Sequence, residues 1–395
     1  MLDRRHWMMA AGAATLATAA PVLTGARKSG SVTLFLCGDV MTGRGIDQVL
    51  PHPSDPRIYE SYLKSAVDYV SLAERQNGPI RKPVDYDYVW GAAIGELEQR
   101  RPDVRIINLE TSITKEDRPE PKGINYRMNP ANVPCITAAG IDCCVLANNH
   151  VLDWGRAGCV DTLAALHGAG IQTAGAGRNA HEAASPAVLP TRHGRVLVFG
   201  LASETSGVPR DWAATATKPG VEVLPDLSAE TADRFVKRVR SIREEADVVV
   251  VSIHWGGNWG YQVPSDQRSF AHRLIDEGVA EIVHGHSSHH AKGIEIYKGK
   301  PILYGCGDFI NDYEGIGGYE KFRGDLALMY FPALDATTRN LVRLEIVPLQ
   351  MKQLQLHRAS MEDARWVRDT LARAGKPLGT EVSLADDGTL RVSPA

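Results

Sequence analysis

The sequence predicts an α/β fold whose polar groups gather where strands end. Three observations predict it. Helical segments, glycine turns, apolar strands and polar loops recur in that order along the chain, the alternation that builds parallel strands flanked by helices. Strands such as VVVVSI at 248–253 are almost wholly apolar, as strands buried on both faces are. Several of these strands also run straight into Asp, Glu, Asn or His, at the end of a strand where open α/β sheets hold ligands.

With 395 residues the chain has room for one large domain or two ordinary ones. Hydrophobic residues make up 44%, and 44 Lys and Arg nearly balance 47 Asp and Glu. That composition excludes a disordered chain and gives no basic face for nucleic acid. Residues 1–26 stand apart: Arg4-Arg5 precede an alanine-rich apolar run ending in small residues. This pattern is that of a signal peptide of the twin-arginine type. The expected location is therefore outside the cytoplasm, periplasmic or membrane-associated. None of the six cysteines has CxxC spacing, so a zinc knuckle is excluded and buried free thiols are expected.

Taken in order, residues 32–37 form an apolar strand, and GDVMTGRG turns sharply after it, presenting Asp39. Asp39 is either a ligand or a helix cap. Residues 52–100 are helical in parts. RIIN at 105–108 is a strand closing on Asn108 and Glu110, and a buried glutamate there needs a partner or a metal. Residues 115–134, rich in proline and charge, read as surface loop. IDCCVLA at 141–147 is a strand followed directly by Asn148, Asn149 and His150. A helix follows at 156–167, then two strands within 186–202. Residues 203–227 read as a long loop able to overhang the site. An amphipathic helix is expected over 232–246 with Phe235, Val236, Val239 and Ile242 on one face. The strand into His254 comes next, then a helix that takes His272 for itself, and the strand of AEIVHGHSSHH. Residues 293–311 read as a hairpin turning at Gly299-Lys300. The strands within 325–358 suit an antiparallel edge or a second sheet. A helix at 359–375 and a polar hairpin or loose tail end the chain.

The clusters Asp39, Glu110, Asn149-His150, His254, His286 and His289 all sit at strand ends. Mostly parallel strands would bring them to one edge. Carboxylate, imidazole and amide oxygen donors suit Mn, Fe or Zn, and this many donors suits two divalent ions. Four histidines within 284–290 exceed any capping need. Singly, His254 could serve a carbonyl, and Asn148-Asn149 could serve a turn.

The motifs GDVM at 38–41, NLE at 108–110, LANNHVLDWG at 146–155, SIHWG at 252–256 and GHSSHH with GCGDFIND resemble, in this order, the CapA family of poly-γ-glutamate capsule synthesis proteins. That family looks like a branch of the calcineurin-like metallophosphoesterases, and the resemblance covers roughly residues 30–350. It implies a four-layer α/β/β/α sandwich over 27–355, with the helix and tail of 356–395 on the same domain. It further implies metal ligation by Asp39, Glu110, Asn149, His254, His286 and His289. Glu110 would bridge two ions and fix the attacking water, and His150 would protonate the leaving group. Asn148, His284, His290, Asp308 and Asp312 are supporting partners or alternative ligands. Arg44 either holds a substrate anion or lies on the surface. Met41 stands where the phosphoesterase pattern has a histidine. The implied reaction is metal-dependent hydrolysis of a phosphoester or of a poly-γ-glutamate-related polymer. A non-hydrolytic synthesis or export factor, or a γ-glutamyl amide hydrolase or transferase, is the alternative. The implied partners are an anionic polymer or phosphoester and membrane-bound capsule synthesis components.

Overall fold

The computed structural model describes residues 30–395, so the expected leader at 1–26 lies outside the described residues. Two large sheets dominate. The first runs, in spatial order, Thr380–Leu384, Leu390–Pro394, Leu341–Lys352, Leu326–Asp335, Ser31–Val40, Val104–Leu109, Cys143–Val145 and Gln172–Ala174. From Ser31–Val40 to Gln172–Ala174 its strands are parallel, and on the other side of Ser31–Val40 they are antiparallel. The second runs Val223–Leu224, Gly194–Ser203, Val248–His254, Ile282–His286, Lys300–Leu303 and Ile294–Tyr297, parallel except for the last pair.

The period-two alternation of the strands explains how these sheets stack. Leu34, Leu36, Ile106 and Val145 of the first sheet meet Val196, Val198, Val250 and Ile282 of the second in one core. Their neighbours point the other way. Phe35, Cys37, Ile107 and Cys144 pack under the helices Ala92–Arg100 and Gly155–Gly168 through Leu97, Leu163 and Leu166. Leu197, Phe199, Val249 and Val251 pack under the helices Ala229–Arg240 and Ser265–Asp276 through Phe235, Val239, Phe270 and Leu274. The order is thus helices, sheet, sheet, helices. Each such side chain stabilises the fold by roughly 1.5–3 kcal/mol through burial, which is why the central strands carry apolar residues on both faces.

Glycine sets the closest approaches. A Cβ on Gly38 would lie 1.6 Å from the Gly307 carbonyl oxygen, and one on Gly200 would lie 2.8 Å from Gly175 Cα. The first contact lets the strand Asp308–Ile310 lie parallel to Ser31–Val40 with Asp39 opposite Asp308.

Several local expectations are corrected. The amphipathic helix stops at Arg240, and Ile242 is 37% exposed; the Asp247 carboxylate accepts from Glu244 N–H and closes a turn instead. The hairpin turns at Lys298-Gly299, both with positive φ, and Lys300 opens the returning strand. Such two-residue turns need left-handed backbone at both positions. Leu326–Asp335 is neither an edge nor part of the second sheet. It pairs with Ser31–Val40 in the interior of the first, because that strand has a long flank left free by its parallel neighbour. The tail is a hairpin that joins Leu341–Lys352. Residues 203–227 contain the short strands Gly220–Val221 and Val223–Leu224, the latter extending the second sheet. All six cysteines are buried and unbonded. Among the described residues no helix is long and apolar enough to cross a membrane.

Candidate metal centre

The parallel strands of both sheets deliver their polar ends to one cleft. Register places Asp39 opposite both Asn108 and Asp308, and His254 opposite His286. Asp39, His254 and His286 each offer a ligand atom, and these atoms lie within 4.8 Å of one another, all buried. Among the described residues this is the one such group.

A chain of hydrogen bonds fixes how His286 presents itself. The Cys37 carbonyl can only accept, so His284 Nε2, at 2.7 Å, carries the proton. Burial holds His284 down to about 4, hence neutral, and its Nδ1 accepts from Ser252 Oγ at 3.0 Å. Ser252 Oγ in turn accepts from His286 Nε2 at 2.9 Å. His286, also kept neutral by burial, therefore turns a bare Nδ1 toward Asp39 and toward His254 Nδ1, 2.8 Å away. His254 Nε2 lies 3.1 Å from Asn149 Oδ1. Lone pairs and a carboxylate converging in this way fit a divalent cation, and the relay from Cys37 through His284 and Ser252 is the kind of support that orients a ligating imidazole.

The carboxylates tell the same story. Asn108 Nδ2 donates to Asp39 Oδ1 at 2.7 Å and reaches Glu110 Oε2 at 3.4 Å. Burial and the nearby Asp308 push Asp39 up to about 7. Burial, Asp39 and Asp308 likewise raise Glu110. Three carboxylates buried together are a donor set short of positive charge, which bound cations supply in such sites. His289 Nδ1 lies 2.8 Å from Asp308 Oδ1; burial opposes its protonation, but Asp308 outweighs burial and raises its pKa.

His150 stands at the rim. Its Nδ1 is 2.7 Å from Asp153 Oδ2, its Nε2 is 3.7 Å from Glu110 Oε1, and the Tyr126 ring lies edge-on at 4.5 Å. Burial lowers its pKa to about 4. With the proton on Nδ1 facing Asp153, Nε2 faces the cleft as an acceptor. Asn148 builds the loop beneath it: its Oδ1 accepts from the N–H groups of His150 and Val151, and its Nδ2 donates to Asn108 Oδ1 and the Leu109 carbonyl.

Three expected site residues do other work. Arg44 is only 3% exposed, and its guanidinium is turned inward on Asp312, Glu60 and the Tyr69 hydroxyl. Asp312 accepts from Arg44 and from Gly45 N–H. His290 has Gly260 N–H on Nε2 and the Ala291 carbonyl at Nδ1, and its ring stacks on Phe322 and Trp259. His272 belongs to its helix, stacked on Tyr297.

Sequence reasoning gave no role in the site to four contributors. Asn108 links the carboxylates, and Ser252 completes the histidine relay. Asp153 accepts at once from His150, Tyr126 N–H and Lys122. Lys122, from a stretch read as surface loop, reaches Asp153, the Asn149 carbonyl and His150 Nδ1. A polar residue inside an apolar strand, as Ser252 and Asn108 are, was the available signal; Lys122 carried none. Within residues 203–227, Ser206 donates to the His254 carbonyl and Trp212 lies under Lys122, so part of that segment borders the site.

A probable polyglutamine synthesis accessory protein of Mycobacterium tuberculosis is 48% identical over 367 residues, 92% of this chain and 96% of that one. The capsule biosynthesis protein CapA of Bacillus anthracis is 26% identical over 83% of this chain and 69% of that one. The solved structure of a phosphatase from Mycoplasma pneumoniae aligns with a TM-score of 0.45 and 12% identity, over 82% of this chain and 94% of that one. Residues 33–313 match the family described as bacterial capsule synthesis protein PGA_cap, and with these relatives the chain belongs to that CapA family.

Proposed function

We propose that this protein is an accessory factor in the synthesis of a glutamate polymer outside the cytoplasm, and that it acts through a divalent-metal centre on Asp39, His254 and His286. The observation that carries the reading is the convergence of these three buried side chains, their ligand atoms within 4.8 Å. The names of the relatives, a polyglutamine synthesis accessory protein and a capsule biosynthesis protein, support a polymer as the object of the activity.

The ion supplies Lewis acidity, and nitrogen and oxygen donors suit Mn, Fe or Zn. Asn149, half-buried beside His254, and Glu110 complete the first position. Asp308 with His289 opposite Asp39 forms a second, in place of the histidine that Met41 lacks. His150, its Nδ1 proton held by Asp153, accepts or returns a proton at Nε2 where a leaving group departs. The ligand order along the chain and the layered fold support placing the protein with the calcineurin-like metallophosphoesterases. Cleavage or transfer of a γ-glutamyl amide is the chemistry that joins this site to a glutamate polymer. The His150 geometry keeps phosphoester hydrolysis as the second reading.

Metal analysis of protein purified without chelator, together with activity on γ-linked polyglutamate, p-nitrophenyl phosphate and bis-p-nitrophenyl phosphate, tests both parts. Stoichiometric divalent metal is expected, lost in His254→Ala and His286→Ala together with action on the polymer. Metal retained in both variants would sink the ligand assignment; turnover of the esters with the polymer untouched would sink the polymer reading.

A further inference from the structure

Lys292 lies just after the histidine cluster. The residue is 4% exposed. Its backbone N–H bonds the Gly305 carbonyl at 2.8 Å, but among the described residues its ammonium has no carboxylate and no hydrogen-bond acceptor. Its Nζ is not sealed off, so an anion can reach it and replace the little hydration that it keeps. Burial alone accordingly lowers its pKa.

What surrounds it suits an anion. The point that a Cβ would occupy on Gly256 is 3.8 Å from Lys292 Nζ and 2.7 Å from Gln267 Nε2, so both nitrogens lie against the Gly256 backbone. Gln267 is 2% exposed and its Oε1 has no partner, so either end of the amide is free to turn toward a ligand. Gln267 lies in the first turn of the Ser265–Asp276 helix, which begins at Pro264 without a side-chain cap. Its one acid there, Asp266, accepts from Gln267 N–H. The start of a twelve-residue helix favours negative charge. A Cβ on Gly257 would meet nothing within 4 Å, and that glycine is exposed, so the turn itself is open to solvent.

We propose that Lys292, the Gln267 amide and the first turn of the Ser265–Asp276 helix form a subsite for a single oxyanion group, a carboxylate or a phosphate, beneath the Gly256–Gly257 turn that follows His254. The subsite is built without any metal ligand, so it stands whether or not the metal chemistry proposed above is correct.

Calorimetric titration of the full chain with inorganic phosphate and, separately, with acetate tests it, in a His254→Ala background as well as in the unaltered protein so that binding at the metal centre is recognised. Lys292→Met is expected to weaken binding of the favoured anion by about tenfold or more, and Lys292→Arg to retain most of it. The favoured anion should raise the thermal midpoint of the unaltered protein and leave that of Lys292→Met in place. A response to acetate alone marks a carboxylate subsite, and a response to phosphate alone a phosphate subsite. Equal affinities for both anions in Lys292→Met and the unaltered protein would overturn the proposal. Should Lys292→Met not fold, Gln267→Leu makes the same comparison with the charge in place, weakened binding supporting the subsite and unchanged binding overturning it.

Discussion

Asp312→Ala is the sharpest test of how the segment after Asp39 is held. Arg44 and Asp312 are both buried, and the carboxylate accepts from Arg44 Nε at 3.2 Å, from Arg44 Nη2 and from Gly45 N–H at 2.8 Å. Truncating it leaves a guanidinium in the interior with Glu60 at 2.8 Å and the Tyr69 hydroxyl at 2.8 Å as its remaining polar partners. Breaking a buried pair costs about 3–5 kcal/mol; because Glu60 still offsets part of the charge, the lower end, about 3 kcal/mol, is expected. Asp312→Asn, which keeps the shape and loses the charge, should cost about half as much. Replacing both partners, as in Arg44→Met with Asp312→Leu, should cost less than Asp312→Ala alone, since no bare charge remains. Urea unfolding at fixed metal concentration reads these differences as midpoint shifts at constant slope. A loss below about 1 kcal/mol for Asp312→Ala would refute the reasoning and return Arg44 to the role of substrate anchor. In that case Arg44→Met would raise KM and leave stability unchanged.

The remaining predictions concern the cleft. In chelated protein the pKa of Asp39, raised to about 7, and the raised pKa of Glu110 mean that the folded state binds more protons than the unfolded one from about pH 4 upward, so this contribution falls across that interval as pH rises. The buried neutral histidines His150, His254, His284 and His286 act in the opposite sense below about 6.5, where the unfolded chain takes up their protons. Thermal midpoints should therefore peak between about pH 6 and 7 with chelator, and the decline on the alkaline side should vanish with divalent metal; a chelated protein most stable at pH 9 would contradict this. Asn108→Ala removes the amide that links Asp39 and Glu110 and should weaken metal affinity by about 10–100-fold with little change in fold, read by competition with a metal indicator. Gly38→Ala places a carbon 1.6 Å from the Gly307 oxygen and should cost more than about 2 kcal/mol or leave the protein insoluble, whereas Gly95→Ala, where a Cβ meets nothing, should be neutral or stabilising.

The alternation of helices and strands, the apolar character of the strands and the position of Asp39, Glu110, His150, His254 and His286 after them were all legible in the order of residues. Local pattern encodes them: a strand buried on both faces must be apolar, and a polar group directly beyond it lies at the sheet's edge. Membership of the CapA family was legible as well, because its motifs are contiguous. Pairing was not. The place of Leu326–Asp335 beside Ser31–Val40 depends on contacts between residues hundreds of positions apart, and the joining of the C-terminal hairpin to the first sheet on pairs such as Leu344 with Val392. The end of the Ala229–Arg240 helix, by contrast, turned on one carboxylate, Asp247, which outbid a continuing apolar period.

The same division runs through the site. Sequence by itself determined which residues could be ligands, because only His, Asp, Glu and Asn bring the needed lone pairs. Tertiary structure alone decided which of them are free to use those lone pairs. His290 spends both nitrogens on backbone, and His284 gives its proton to the Cys37 carbonyl so that Ser252 can orient His286. Arg44 is consumed by Asp312 and Glu60, while Lys292, alike in charge, meets no acid at all among the described residues. A side chain's chemistry is local, but its availability depends on every partner that folding brings within reach.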